Sequence, residues 1–183
     1  MNESKISVRY AKALFQYALE IGKLEDIKKD ISLVYETSVQ YPEFNLYLLS
    51  PITKVSDKRK FTETIFGSFV SKETLSFLQL LITNRRESYI TDSTRNFLQL
   101  YKRHSGIKSV ELITANGISN DFKQTIISYI QQNMNTKVDL TEKVDQSLIG
   151  GFILRIEDQQ YDASISNKLK QIKKSLFETN VNN

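Results

Sequence analysis

Leu148-Ile149-Gly150-Gly151-Phe152-Ile153-Leu154-Arg155-Ile156, followed by Tyr161-Asp162-Ala163-Ser164-Ile165-Ser166 and a lysine-rich amphipathic tail, carries several structural signals in one run. Two adjacent glycines ahead of four apolar residues mark a sharp bend, or a backbone approach too close for a Cβ. Phe152 to Ile156 is β-branched and aromatic enough for a strand covered on most of both faces. Asp162 and Ser164 stand where a side-chain oxygen caps the first turn of a helix. That helix is expected from about 163 to 177, with Ile165, Leu169, Ile172 and Leu176 on one side. The glycine pair alone asks for no more than an efficient strand-turn-helix. The ordered set Asp145, Ser147, Leu148, Ile149, Gly150, Gly151, Arg155, Asp162, Ser164 and Leu169 is far more specific.

Upstream of this run the hydrophobic period changes near Ser105 to Lys108. Before Gly106 the pattern is helical throughout. Tyr10, Ala13, Leu14, Tyr17 and Ile21 repeat at helical spacing, as do Ala11, Phe15, Ala18 and Leu19 on the neighbouring face. A second helix from about 24 to 39 has Leu24, Ile27, Ile31, Val34 and Tyr35 inward, and Tyr41-Pro42 ends it. A short helical piece spans 44 to 49 before Ser50-Pro51. Ser56-Asp57 opens another that reaches Phe66, with Gly67 suited to its C-terminal cap. From 72 to 86, Leu75, Leu78 and Ile82 form one stripe and Phe77, Leu80 and Leu81 another. The last helix of this half runs from about 89 to 104, with Phe97, Leu98 and Tyr101 inward. After Gly106 alternation takes over: a strand with Val110, Leu112 and Ile113, a helix with Phe122, Ile126, Ile127 and Ile130, and strands around Val138 to Val144 and Phe152 to Ile156. The expected fold is mainly α, a helical bundle over 1–105 followed by a small α/β domain over 106–183.

Composition excludes several classes. With no cysteine among 183 residues, disulfides, thiolate zinc sites and cysteine nucleophiles are impossible. The start Met1-Asn2-Glu3-Ser4-Lys5 lacks an apolar signal core, which argues against secretory and organelle targeting. No stretch is long and apolar enough to cross a bilayer, so membrane association is expected only through a partner. Twenty-five Lys and Arg interspersed with 21 Asp and Glu leave a net charge of +4, too balanced to demand nucleic acid.

Catalysis finds little support. His104 is the single histidine and sits in a basic helix end, where a cation suits the helix dipole. No phosphate-binding glycine loop and no His-Glu-x-x-His occurs, and Gly150-Gly151 opens a strand where a phosphate cradle would open a helix. No catalytic residue, cofactor or metal is expected. A helical RNA-binding module is the alternative. Lys58-Arg59-Lys60, Arg85-Arg86, Lys102-Arg103 and the Lys168-Lys170-Lys173-Lys174 face could neutralise phosphates. Acidic neighbours dilute each cluster, however, and most aromatics fall on core stripes.

A protein-binding role accounts for the doubled stripes. One apolar stripe suffices for a helix in a small bundle, yet the first helix and the 72–86 helix each carry two. Either both helices are central, or their surplus faces form a groove for an amphipathic helix. Periodicity leaves these two open.

Both ends of the chain point to one family. The signature from Asp145 to Leu169 is matched by Arg9-Tyr10-Ala11-Lys12-Ala13-Leu14-Phe15, continuing to Ala18, Glu20 and Gly22. Ser50-Pro51, Lys60, Phe66, Phe77 to Ile82 and Asn84-Arg85-Arg86 fall between them in the family's order. Together they resemble the delta subunit of F-type ATP synthases, the bacterial counterpart of the oligomycin-sensitivity-conferring protein, across almost the whole chain. The resemblance implies a six-helix N-terminal bundle and a non-catalytic stator subunit of the peripheral stalk that couples proton translocation to ATP synthesis. It implies a groove at Tyr10, Ala13, Leu14, Tyr17, Phe77 and Leu80 for the N-terminal helix of an alpha subunit of the alpha/beta hexamer. It also implies a C-terminal domain that grips the stalk b subunits, here through Ile165, Leu169, Ile172 and Leu176, with Asp145, Leu148, Gly150, Gly151, Asp162 and Ser164 as its structural signature. The subunit would be a monomer in its complex, peripheral to the cytoplasmic face of a bacterial inner membrane, without nucleic acid. One departure stands out: the family has Asp-Gly-Ser where this chain has Asp162-Ala163-Ser164.

Overall fold

The computed structural model describes residues 5–134, 136–157, 159–171 and 173. The chain is mainly helical, with a small sheet toward its C-terminal end. It divides into two compact units, Met1–Tyr101 and Lys102–Asn183.

The first unit is built from α1 (Lys5–Glu20), α2 (Leu24–Gln40), α3 (Pro42–Leu49), α4 (Val55–Phe66), α5 (Lys72–Thr83) and most of α6 (Ile90–His104), which a single 3-10 turn, Glu87–Tyr89, precedes. Local chemistry sets these limits. Tyr41, held non-helical (φ −120°, ψ 85°) by the following proline, separates α2 from α3. Pro42 opens α3 at a position whose N–H has no intrahelical partner. Ser71 caps α5 by accepting a hydrogen bond from the Thr74 amide at 3.4 Å. Gly67 ends α4 in the right-handed region (φ −57°), not in the left-handed conformation that commonly closes a helix. The core collects Ala11, Leu14, Ala18, Ile27, Ile31, Val34, Phe44, Leu48, Phe66, Leu78, Leu81, Ile82 and Phe97. Phe15 meets Phe97 edge-on at 5.8 Å, tying α1 to α6. Each fully buried large side chain here contributes about 1.5–3 kcal/mol, which makes apolar burial the dominant stabilising term of this unit.

The second unit contains β1 (Ile107–Thr114), α7 (Asn120–Met134), β2 (Lys137–Val144), β3 (Phe152–Ile156), β4 (Gln159–Asp162) and a helical stretch over 165–171. Strand order is β2-β1-β3-β4, with β1 parallel to β2 and antiparallel to β3, and β4 antiparallel to β3. α7 makes the crossover that a parallel pair requires. Ile126 and Ile130 of α7 pack with Val110, Val138, Leu140, Leu154 and Ile156 of the sheet.

Two expectations shift. The hydrophobic period places the division at 105/106, whereas the compact units part at Tyr101/Lys102, inside α6. Lys102 pairs with Asp139 of β2 at 2.6 Å, which draws the last turn of α6 into the second unit. A fourth strand also stands where only a turn was expected. β4 is exposed at every residue, so no apolar alternation marks it, and its pairing with β3 alone makes it a strand.

Candidate functional site

An open, largely apolar surface of the first unit lies between α1 and α5. Tyr10, Ala13, Leu14 and Tyr17 of α1 and Phe77 and Leu80 of α5 line a groove of about 620 Å³ together with Lys72, Glu73 and Ser76. The structure thus brings all six candidate groove residues to one surface. Their depths differ. Leu14 and Phe77 are 5% and 7% exposed and form the floor, while Tyr17 and Leu80, at 46% and 49%, stand up as walls. On α1 the helical turn resolves the doubled stripe: Ala11, Leu14 and Ala18 go to the core, and Ala13 and Tyr17 face outward. On α5, Leu81 leaves its expected stripe and joins Leu78 and Ile82 in the core, because the 100° step from Leu80 carries it inward.

Polar contacts hold the two walls in place. Asp30 of α2 accepts hydrogen bonds from the Ser71 amide (2.8 Å), the Ser71 hydroxyl (2.5 Å) and the Thr74 hydroxyl (2.9 Å), anchoring the N-terminal turn of α5. Asn84 Nδ2 donates to the Tyr10 hydroxyl at 3.4 Å. At the groove's end Lys23 and Glu73 pair at 2.7 Å. Hydrogen bonding and attraction within that pair lower the Glu73 pKa and raise that of Lys23. Lys72, Glu73, Ser76 and Asp30 were not among the candidates. For α5 the signal was available, since residues 73, 76, 77 and 80 follow the i, i+3, i+4, i+7 spacing of one helical face.

The second candidate region is a backbone stitch. Gly151 has φ +80°, and a Cβ there would collide with the Ala163 carbonyl oxygen and lie 3.0 Å from the Ser164 Cα. Glycine is therefore required twice over, by conformation and by space. The Ile165 amide donates to the Gly150 carbonyl (3.0 Å) and the Ala163 amide to that of Phe152 (2.9 Å), fastening the start of β3 to the start of the terminal helical stretch. Asp162 accepts from the Ser164 amide at 2.9 Å, and the buried Ser164 hydroxyl accepts from the Asn167 amide at 3.2 Å. Both capping residues act in series. Ala163 shows no positive φ, so the departure from glycine is accommodated without strain. Asp145 folds a turn by accepting from the Ser147 hydroxyl (2.6 Å) and amide (3.0 Å), while its own amide donates to Thr114 of β1 and its carbonyl accepts from Leu148. Ser147 lowers the pKa of Asp145, and Ser164 that of Asp162, in each case through the hydroxyl first and the amide second. Ile165 and Leu169 are 43% and 56% exposed. Ile172 and Leu176 lie outside the described residues.

Several members of the basic clusters are engaged within the fold. Lys58 is 5% exposed and ion-paired with Glu87. Arg59 donates to Gln79 at 3.2 Å, Arg86 lies over the Tyr89 ring, and Lys102 is held by Asp139.

A family model described as the ATP synthase delta (OSCP) subunit matches residues 6–176. The chain belongs to that family. It is 32% identical over 182 residues to the ATP synthase subunit delta of Cytophaga hutchinsonii, covering all of both chains. It is 31% identical to that of Lactobacillus gasseri, covering 97% of this chain and 98% of the relative. In fold it is similar to a chain of the Toxoplasma gondii mitochondrial ATP synthase hexamer, with a TM-score of 0.77 and 23% identity over 95% of this chain and 98% of the other. As a delta (OSCP) subunit it is a non-catalytic part of ATP synthase, and the RNA-binding alternative falls. No helix among the described residues is long and apolar enough to cross a membrane, so this peripheral subunit does not reach the bilayer through a helix of its described part.

Proposed function

We propose that this delta-family subunit is a stator clamp whose two units hold different partners. The six helices α1–α6 act as a bundle whose α1–α5 groove takes the N-terminal helix of an alpha subunit on the alpha/beta hexamer. The second unit takes the C-terminal ends of the b subunits, through the exposed Ile165 and Leu169. A clamp of this kind keeps the hexamer from turning with the rotor, so that proton flow is coupled to ATP synthesis at the cytoplasmic face of the bacterial inner membrane.

The observation that carries this reading is the groove itself. A helix of 10–12 Å diameter needs a long apolar trough, and Leu14 and Phe77 form a floor between the upright Tyr17 and Leu80. Ala13 is the point of closest approach, since its methyl group leaves room between the Tyr10 and Tyr17 rings on the same helix face. Ala13→Leu is expected to leave the melting temperature unchanged, because Ala13 faces outward. It is expected to weaken binding of an alpha N-terminal peptide at least about tenfold, the effect of obstructing a well-packed contact. Titration calorimetry measures the second effect and a thermal melt the first. Unchanged binding would place the alpha helix on another face. Recovery of alpha, beta and b subunits with the tagged chain from solubilised membranes tests the clamp as a whole.

A further inference from the structure

Beside the groove runs a stripe of exposed cations on α1. Lys5, Arg9 and Lys12 lie at i, i+4 and i+7 on α1, all exposed, and with Val8, Ala13 and Gln16 they line a second, shallower depression. Ala13 belongs to both depressions, so the stripe is the outer rim of the apolar groove.

Two local effects oppose this arrangement. Cations in the first turns of a helix face the positive end of its dipole, where anions are favoured. α1 has no acidic residue in its first turn. Like charges three and four residues apart also repel one another. Four other cations of the unit have carboxylate partners, Lys23 with Glu73, Lys29 with Asp26, Lys58 with Glu87 and Arg95 with Asp92. Among the described residues no carboxylate forms such a pair with Lys5, Arg9 or Lys12.

We propose that the helix occupying the α1–α5 groove carries a row of acidic side chains on the flank that faces Lys5, Arg9 and Lys12. This rests on the groove reading above and adds the chemistry of the occupant. Apolar contact supplies the affinity, and the cationic rim fixes which way round the helix lies. An occupant with acidic residues on the opposite flank would meet Glu73 together with Lys72. Glu73 already holds Lys23, so that edge is of mixed charge, whereas the α1 edge is cationic alone.

The test uses the full chain and two synthetic amphipathic helical peptides with identical apolar faces, one with Glu and one with Lys at the flank positions. Titrated at low salt, the Glu peptide is expected to bind about tenfold more tightly, the product of three exposed pairs each worth about a factor of two. Added salt should narrow the difference. The variant K5E/R9E/K12E should reverse the preference, and Ala13→Leu should weaken both peptides alike. Should the triple variant melt early, Lys12→Glu alone takes its place, with a proportionately smaller reversal. Equal binding of the two peptides overturns the inference and leaves the groove reading intact. Binding of neither overturns both. A single-stranded RNA oligonucleotide serves as competitor. If it binds the parent and Ala13→Leu equally, is lost in K5E/R9E/K12E and does not displace either peptide, the stripe is an independent polyanion site and the inference is overturned.

Discussion

The two units of this chain solve the stability problem differently. In the first, apolar side chains from every helix meet in one core from Ala11 to Phe97. In the second, Val110, Leu112, Ile113, Ile130 and Ile156 are buried among the described residues, and hydrogen bonds from strand to loop to helix stitch the sheet to its turns. A large core leaves the first unit free to expose Ala13, Tyr17 and Leu80 in a groove. In the second unit the signature residues are structural: Gly151 makes the close approach, and Asp145, Asp162 and Ser164 fold the turns.

This contrast breaks if damage to a core residue and to a stitch residue spreads equally over both units. Phe97→Ala should have the largest effect. Its ring is fully buried against Phe15, and truncation costs about 3–5 kcal/mol. Amide hydrogen exchange resolved by segment should show faster opening of α1, α2, α5 and α6, with β1 and β3 unchanged. Gly151→Val comes next, at about 3 kcal/mol from positive-φ strain and the collision with Ala163. Here exchange should accelerate in β3, β4 and the terminal helical stretch while the first unit keeps its protection. The functional counterpart is a variant that still binds the hexamer and fails to join it to the b subunits. Loss of hexamer binding with stalk binding kept would refute the division of labour.

What could be read from the sequence follows the same line. The helices of the first unit were legible because their burial follows a 3.6-residue period, visible in Ile27, Ile31 and Val34 of α2. The groove was legible as surplus apolar surface, although a stripe that joins Leu80 with Leu81 overlooks the 100° step between helix neighbours. The local caps at Asp162 and Ser164 were legible, whereas the long-range polar contacts were not. Lys58 reads as one of three adjacent cations, yet it is buried against Glu87, a partner 29 positions away. Asp30 shows no local sign that it anchors Ser71 and Thr74 across more than 40 residues. In the second unit β4 has no hydrophobic pattern at all, since edge pairing with β3 creates it. Local patterns report apolar burial, whereas long-range hydrogen bonds depend on the finished fold.

A gentler test removes one stitch. Ser164→Ala takes away the side-chain acceptor for the Asn167 amide and a contact that lowers the Asp162 pKa. Loss of an N-cap of this kind costs about 1 kcal/mol. The C-terminal transition in a thermal melt should fall by a few degrees, and the transition of the first unit should not move. Movement of both together would mean that the two units unfold as one, and the contrast between them would lose its meaning for stability.

The smallest effects are electrostatic, and their signs separate the units. Asp145 and Asp162 are held below the ordinary 3.8 by Ser147 and Ser164, and Glu142 below 4.5 by Lys123 and the Ile118 amide. A depressed carboxylate contributes stability that is complete above its unfolded pKa and lost as pH falls through the folded one. All three lie in the second unit. The first unit has Glu73 in the same condition, paired with a Lys23 raised above 10.5. A raised lysine contributes stability that is complete below its unfolded pKa and lost as pH rises through the folded one. Between pH 4.5 and the acid limit the second unit should therefore lose protection from exchange ahead of the first. Above pH 10.5 the order should reverse, with the α2 and α5 ends around Lys23 and Glu73 loosening first. Asp145→Asn and Asp162→Asn together should flatten the acid response of the second unit and leave the alkaline response untouched. If instead they flatten neither, the turns at Asp145 and Asp162 are held by backbone geometry alone, and the carboxylates contribute nothing as charges.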